Sequence, residues 1–189
     1  MPLLTEQQLY AHGFKSVGRN VRISDKASIY NAANISIGDN VRIDDFVVLS
    51  AGSGGITIGS HIHIAVYSSL IGAGAITVCD FANLSSKVSV YSSSDDYSGK
   101  TMTNPCIPDE YKRVTHADVT IEKHVIVGCG SVILPGVTLS EGAAIGALSL
   151  VNKDCENYTI YAGSPARKIK SRKKDLLKLE QDFLAGKSF

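Results

Sequence analysis

Between Ile121 and Val151 a branched aliphatic residue opens every block of six: Ile121, Val127, Ile133, Leu139, Ile145 and Val151. A small or aliphatic residue returns four places after each, at Val125, Ser131, Val137, Ala143 and Ser149. Helical spacing would put apolar residues at three and four, and a simple half-buried strand would put them at every second position. A chain that turns a corner every six residues satisfies the whole pattern. Three short strands and three corners make one coil, and the leading aliphatics stack inside. Glycines belong at corners that need positive φ.

The same period begins upstream with Val17, Ile23, Ile29 and Ile35, slips by two to Ile37, and resumes at Ile43 and Leu49. It continues through Ile58, Ile64 and Leu70, then Val78, Leu84 and Val90. The extra residues fall within Ser50-Ala51-Gly52-Ser53-Gly54-Gly55 and Gly72-Ala73-Gly74. Insertions at corners leave the strands in register, and the first of these stretches has the composition of a mobile corner. From Tyr91 to Asp118 the repeat stops, and the segment is polar and broken by prolines. So long an interruption is expected to project from the solenoid and carry function.

The ends read differently. Thr5-Glu6-Gln7-Gln8 has the form of a capping box before a short helix that Gly13 stops, a cover for the open end of the solenoid. Leu176, Leu179 and Phe183 share a helical face near the C-terminus, and Gly186 can end that helix. The expected organisation is an all-β solenoid domain over residues 1–170, with an N-terminal cap and a loop at 91–118, followed by an amphipathic helix over 171–189.

Composition narrows the function. The 189 residues carry 19 Lys+Arg against 18 Asp+Glu. Nothing in that balance suggests nucleic acid or a membrane surface as partner. Met1-Pro2-Leu3-Leu4 has no basic n-region, and no segment approaches the length of a membrane span, so a cytoplasmic location is expected. The four cysteines, Cys79, Cys106, Cys129 and Cys155, are too widely spaced for a zinc knuckle or redox motif.

The hexads, the interrupting loop, and the segment Ala162-Gly163-Ser164-Pro165-Ala166-Arg167 together resemble the hexapeptide-repeat acyltransferases, in particular the maltose/galactoside O-acetyltransferase-like branch that includes sugar acetyltransferases of polysaccharide clusters. The resemblance implies a left-handed parallel β-helix, a homotrimer with shared sites, and acetyl-CoA as acyl donor. It places the pantetheine arm along the last coils, beside Gly128, Gly130, Ser131, Gly146, Ala147 and Ser149. It places the phosphates near Arg167 and Lys168. The same small residues are also what tight corners require on their own account.

Acyl transfer to a hydroxyl needs a base, and in the resembling family this is a histidine just after the strand ending at Val90. Here Ser94-Asp95-Asp96-Tyr97 occupies that place. The substitutes are His63, then Asp96, then His116, with Asp95 and Tyr97 as candidate acceptor contacts. The γ-class carbonic anhydrases resemble this solenoid and hold zinc through three histidines, but no histidine pair here has their spacing, so no metal is expected. The leading expectation is O-acetylation of a sugar hydroxyl in surface polysaccharide biosynthesis. N-acetylation of a nucleotide-linked amino sugar is the enzymatic alternative, for which a neutral amine needs no prior deprotonation. A non-catalytic assembly surface is the alternative outside enzymology.

Overall fold

The leading aliphatics of the hexads stack in three interior columns, one for each sheet of a three-sided parallel β-helix. The computed structural model describes residues 2–186. Sheet 1 stacks Val17, Ile37, Ile58, Val78, Ile121 and Leu139 in register. Sheet 2 stacks Ile23, Ile43, Ile64, Leu84, Val127, Ile145 and Tyr161. Sheet 3 stacks Ile29, Leu49, Leu70, Val90, Ile133 and Val151. From Ile37 to Val151 these side chains are at most 3 % exposed. Each such burial contributes on the order of 1.5 to 3 kcal/mol, and no coil achieves it without its neighbours.

The second signal, four places after each aliphatic, marks the corner residue that turns inward. Val41, Val47, Ile62, Val88, Val125 and Val137 all sit there, buried. Every irregularity of the repeat lies at one corner, between sheets 3 and 1. Here the reading of 50–55 as mobile is corrected. Gly52 and Gly54 donate their amides to Gly72 O and Ala73 O at 2.9 Å each, and a Cβ on Gly54 would lie 2.3 Å from Ala75 N. The glycines permit close stacking of one coil on the next.

The long interruption leaves from this same corner as a two-stranded antiparallel ribbon, Ser93–Asp95 against Val114–His116. Its base is tied down by Ala117 N–H to Ser92 O at 3.0 Å and by Ala75 N–H to Asp118 Oδ1 at 2.8 Å.

At the N-terminus, helix α1 (Glu6–Ala11) has the expected capping box: Thr5 Oγ1 accepts the Gln8 amide at 3.2 Å, and Gln8 Oε1 accepts the Thr5 amide at 2.8 Å. Leu4, Leu9 and Phe14 pack on the end of the core. At the other end, Arg167–Ser171 adds an antiparallel strand beside Thr159–Ala162 on sheet 2, which the sequence did not announce. Helix α2 (Leu176–Leu184) follows, and Gly186, at φ +68°, closes it with its amide on Phe183 O at 3.0 Å. The helix expected over 171–189 thus starts later, because Ser171 is taken by the added strand and 172–175 are not helical, while residues 187–189 lie outside the described residues. No helix among the described residues is long and apolar enough to cross a membrane.

Candidate active site

Small residues recur at the first position of the corner between sheets 2 and 3. Ser24, Asp44, Ala65, Ser85, Gly128 and Gly146 stack there, each donating its amide to the coil above: Ser85 to Val127 O at 3.0 Å, Gly128 to Ile145 O and Gly146 to Tyr161 O. A Cβ on Gly128 would approach Ala147 N to 2.5 Å, so this glycine is needed by the stack itself. The outcome is a narrow track of backbone up the C-terminal half of the corner, with Gly130 half-buried and Ala147 exposed beside it.

Ser131 and Ser149 lie behind the track rather than on it, at 0 % and 2 % exposure. Their hydroxyls both reach Gly146 O, at 3.0 and 2.7 Å, and Ser149 Oγ accepts the Gly163 amide at 3.1 Å. They fix the shape of the corner from inside. Arg167 and Lys168 are exposed at the top of sheet 2, where Lys168 Nζ pairs with Glu156 and is held above the usual ammonium range by that hydrogen bond. Arg167 has one guanidinium hydrogen bond among the described residues, to Ala166 O at 3.1 Å.

Lower on the same corner, His63 Nε2 lies 2.8 Å from Asp44 Oδ2, and Arg42 Nε donates to Asp44 Oδ1 at 2.7 Å. Burial of Asp44 opposes its charge, but the hydrogen bonds from His63 and Arg42 outweigh it and leave the carboxyl below its ordinary value. With Nε2 engaged, Nδ1 of the partly exposed His63 has no hydrogen-bond partner among the described residues. Asp44 was not anticipated. The signal was the coil length, which sets Asp44 nineteen residues before His63 and therefore one coil below it.

The remaining candidates sit on the ribbon. Strand alternation places Ser93, Asp95, Val114 and His116 on one side of it. Ser93 Oγ is 2.7 Å from His116 Nδ1 and accepts the Ala73 amide at 2.7 Å. Asp95 is exposed, and its carboxylate makes no bond among the described residues. Asp96 differs. Its carboxylate closes a turn, accepting from Ser98 N, Ser98 Oγ and Thr101 Oγ1 at 2.8, 2.9 and 3.1 Å, and the Ser98 bonds hold it below the usual carboxylate range. Tyr97 is 93 % exposed. The structure thus groups Asp95 with His116, and His63 with the small-residue track. The two groups leave from opposite edges of sheet 3, and no hydrogen bond joins them among the described residues.

A parallel three-sided solenoid with a backbone track and an interrupting ribbon defines a class, and the comparisons agree with it. The chain is 60 % identical over 183 residues to a dTDP-4-amino-4,6-dideoxy-D-glucose acyltransferase of Escherichia coli, spanning 97 % of this chain and 95 % of that one. The solved structure of AntD, an N-acyltransferase from Bacillus cereus in complex with dTDP and 3-hydroxybutyryl-CoA, is 48 % identical and superimposes with a TM-score of 0.94 over 98 % of each chain. Other structures of AntD carry a substituted serine or a substituted aspartate ten positions further on. A maltose O-acetyltransferase from Clostridium difficile shares the fold at 21 % identity, with a TM-score of 0.61 over 89 % of this chain and 75 % of that one. No family model matches the chain. The chain belongs to the hexapeptide-repeat acyltransferases.

Proposed function

We propose that the protein transfers an acyl group from a coenzyme A thioester to the 4-amino group of dTDP-4-amino-4,6-dideoxyglucose. The observation that carries this is the near full-length identity to the E. coli acyltransferase of that name. It favours N-acylation over the hydroxyl acceptor expected from the resemblance to the maltose/galactoside O-acetyltransferase-like branch. The missing loop histidine fits the same choice, because an amine attacks a thioester without the strong base an alcohol needs.

Two pairs in this chain keep a serine and an aspartate ten apart, Ser85 with Asp95 and Ser86 with Asp96. Ser85 stands in the small-residue track directly below Gly128, and Asp95 is unpaired, whereas Asp96 is spent on its own turn. We therefore assign the chemistry to Ser85 and Asp95, moving the base from His63, the first candidate, and from Asp96, the second. The thioester lies along Gly128, Gly130, Gly146 and Ala147, with Arg167 and Lys168 near the phosphates and Ser131 and Ser149 keeping the corner's shape. The amine nitrogen attacks the carbonyl carbon while the Ser85 hydroxyl donates to the oxygen that gains charge. The C–N bond forms, Asp95 accepts the nitrogen's proton, and the C–S bond breaks to release coenzyme A, whose thiolate takes that proton. His116, pinned through Nδ1 by Ser93, and His63, pinned through Nε2 by Asp44, orient the hexose. Because Ser85 and Asp95 lie at opposite edges of sheet 3, a complete site needs two chains, which supports a cyclic homotrimer. The product would serve surface polysaccharide assembly in the cytoplasm.

Initial rates with dTDP-4-amino-4,6-dideoxyglucose and with its 4-hydroxyl counterpart test this. The amine is expected to be preferred by about a hundredfold or more in kcat/KM. Equal or reversed preference would return the assignment to O-acylation.

A further inference from the structure

Among the described residues two corners of the solenoid carry aromatic ladders, and one of them is covered. At the corner between sheets 1 and 2, His61, Phe81 and His124 stack in successive coils, with centroids 4.9 and 5.2 Å apart. Helix α2 lays Phe183 across their edges, at 86° to His61 and 83° to Phe81. At the corner between sheets 2 and 3, Phe46 and Tyr67 stack at 4.9 Å and 15°, yet remain 45 % and 56 % exposed. The five corner residues, His61, Phe81, His124, Phe46 and Tyr67, have φ between +59° and +61°. A ring there is a costly choice, since left-handed backbone favours Gly or Asn, and Asn20 and Asn40 fill the cheaper positions in the covered row.

The open ladder has a specific charge setting. It is bracketed by lysines one coil to either side. Lys26 Nζ lies 5.7 Å from the Phe46 centroid and 3.6 Å from Asp45, while Lys87 is exposed with no partner among the described residues. Lys87 continues the row directly above Tyr67, its amide on Val66 O at 2.9 Å, and is two residues from Ser85. An aromatic edge followed by an unpaired ammonium suits a flat ring joined to a polyanion. It does not suit a purely apolar partner.

We propose that Phe46, Tyr67 and Lys87 form the subsite for the nucleoside diphosphate part of the acceptor. The base packs across the two ring edges as Phe183 does on the other corner, and the diphosphate meets Lys87. With coils about 4.8 Å apart, this order along the axis leads the hexose to Ser85. The inference rests on the nucleotide-sugar reading above.

Titration calorimetry with dTDP separates the outcomes. Phe46→Asn and Tyr67→Asn suit the left-handed backbone and so should fold. Each is expected to raise the Kd for dTDP by about tenfold or more, leaving the KM for acetyl-CoA unchanged. Lys87→Met is expected to weaken dTDP while leaving thymidine binding unaltered. Folded variants that bind dTDP as the wild type does would overturn the subsite. A changed oligomeric state with unchanged dTDP affinity would overturn it too, by assigning the ladder to an interface between copies. If the wild-type protein binds no dTDP at all, the underlying nucleotide-sugar reading fails instead.

Discussion

An almost buried carboxylate persists in this fold because Arg42 and His63 both reach it. Asp44 is 8 % exposed at its side chain, and dehydration alone would push its proton affinity up. The two hydrogen bonds reverse that, so the folded protein binds this proton less readily than the unfolded chain, whose carboxyl titrates near 3.8. The stability Asp44 contributes is therefore complete above about pH 4 to 5 and drains away as pH falls through the lower folded value. Asp44→Asn is expected to cost about 1.5 to 3 kcal/mol at neutral pH, the scale of a hydrogen bond to a charged group. It should also flatten the acid side of the curve of Tm against pH. A variant whose Tm falls with acid as steeply as the wild type would show that Asp44 is not the group being titrated.

At the scale of elements, α2 is a cover. Leu176, Leu179 and Phe183 turn to the His61–Phe81–His124 ladder, and Glu180 holds Lys123 and His124, with His124 Nε2 at 2.8 Å. Phe183 is half exposed, so removing its ring takes only part of the loss of a core phenylalanine. Phe183→Ala is expected to destabilise by roughly 1 to 2 kcal/mol in urea unfolding. An unchanged midpoint would mean that α2 is held by its ion pairs alone. The apolar stripe of this helix was readable, because periodicity records which side of an element faces inward. What it faces was not readable: the ladder joins residues from three coils, and each corner residue looks like a lone surface aromatic until the coil length is known. Asp44, and with it the partner of His63, escaped for the same reason. The hexads were legible as far as Val151, since those coils repeat the same inward positions, but not in the last turn through Cys155 and Tyr161, and the ribbon was legible as an interruption. Its pairing was not, because Ser93 to Asp95 carry no strand signal of their own.

At the scale of the whole molecule, the solenoid determines where chemistry can occur. Parallel stacking freezes the order of residues along each corner, so Ser85 is fixed on the track between sheets 2 and 3, and the ribbon bearing Asp95 is fixed at the far edge of sheet 3. A rigid wall of six paired strands separates them. Closing that gap within one chain would require the ribbon to cross sheet 3, against its anchors at Ser92, Ala73 and Asp118. A neighbouring subunit in a cyclic trimer can bring the two edges together with no such movement. Complementation measures the difference. Ser85→Ala and Asp95→Asn proteins, each with kcat lowered roughly a hundredfold or more, are mixed in equal amounts, unfolded and reassembled. If each site takes its serine from one chain and its aspartate from the next, about one quarter of the sites in random trimers regain both groups, and the mixture recovers about that fraction of wild-type turnover. If both groups act from the same chain, every site keeps one lesion and the mixture stays as inactive as its components.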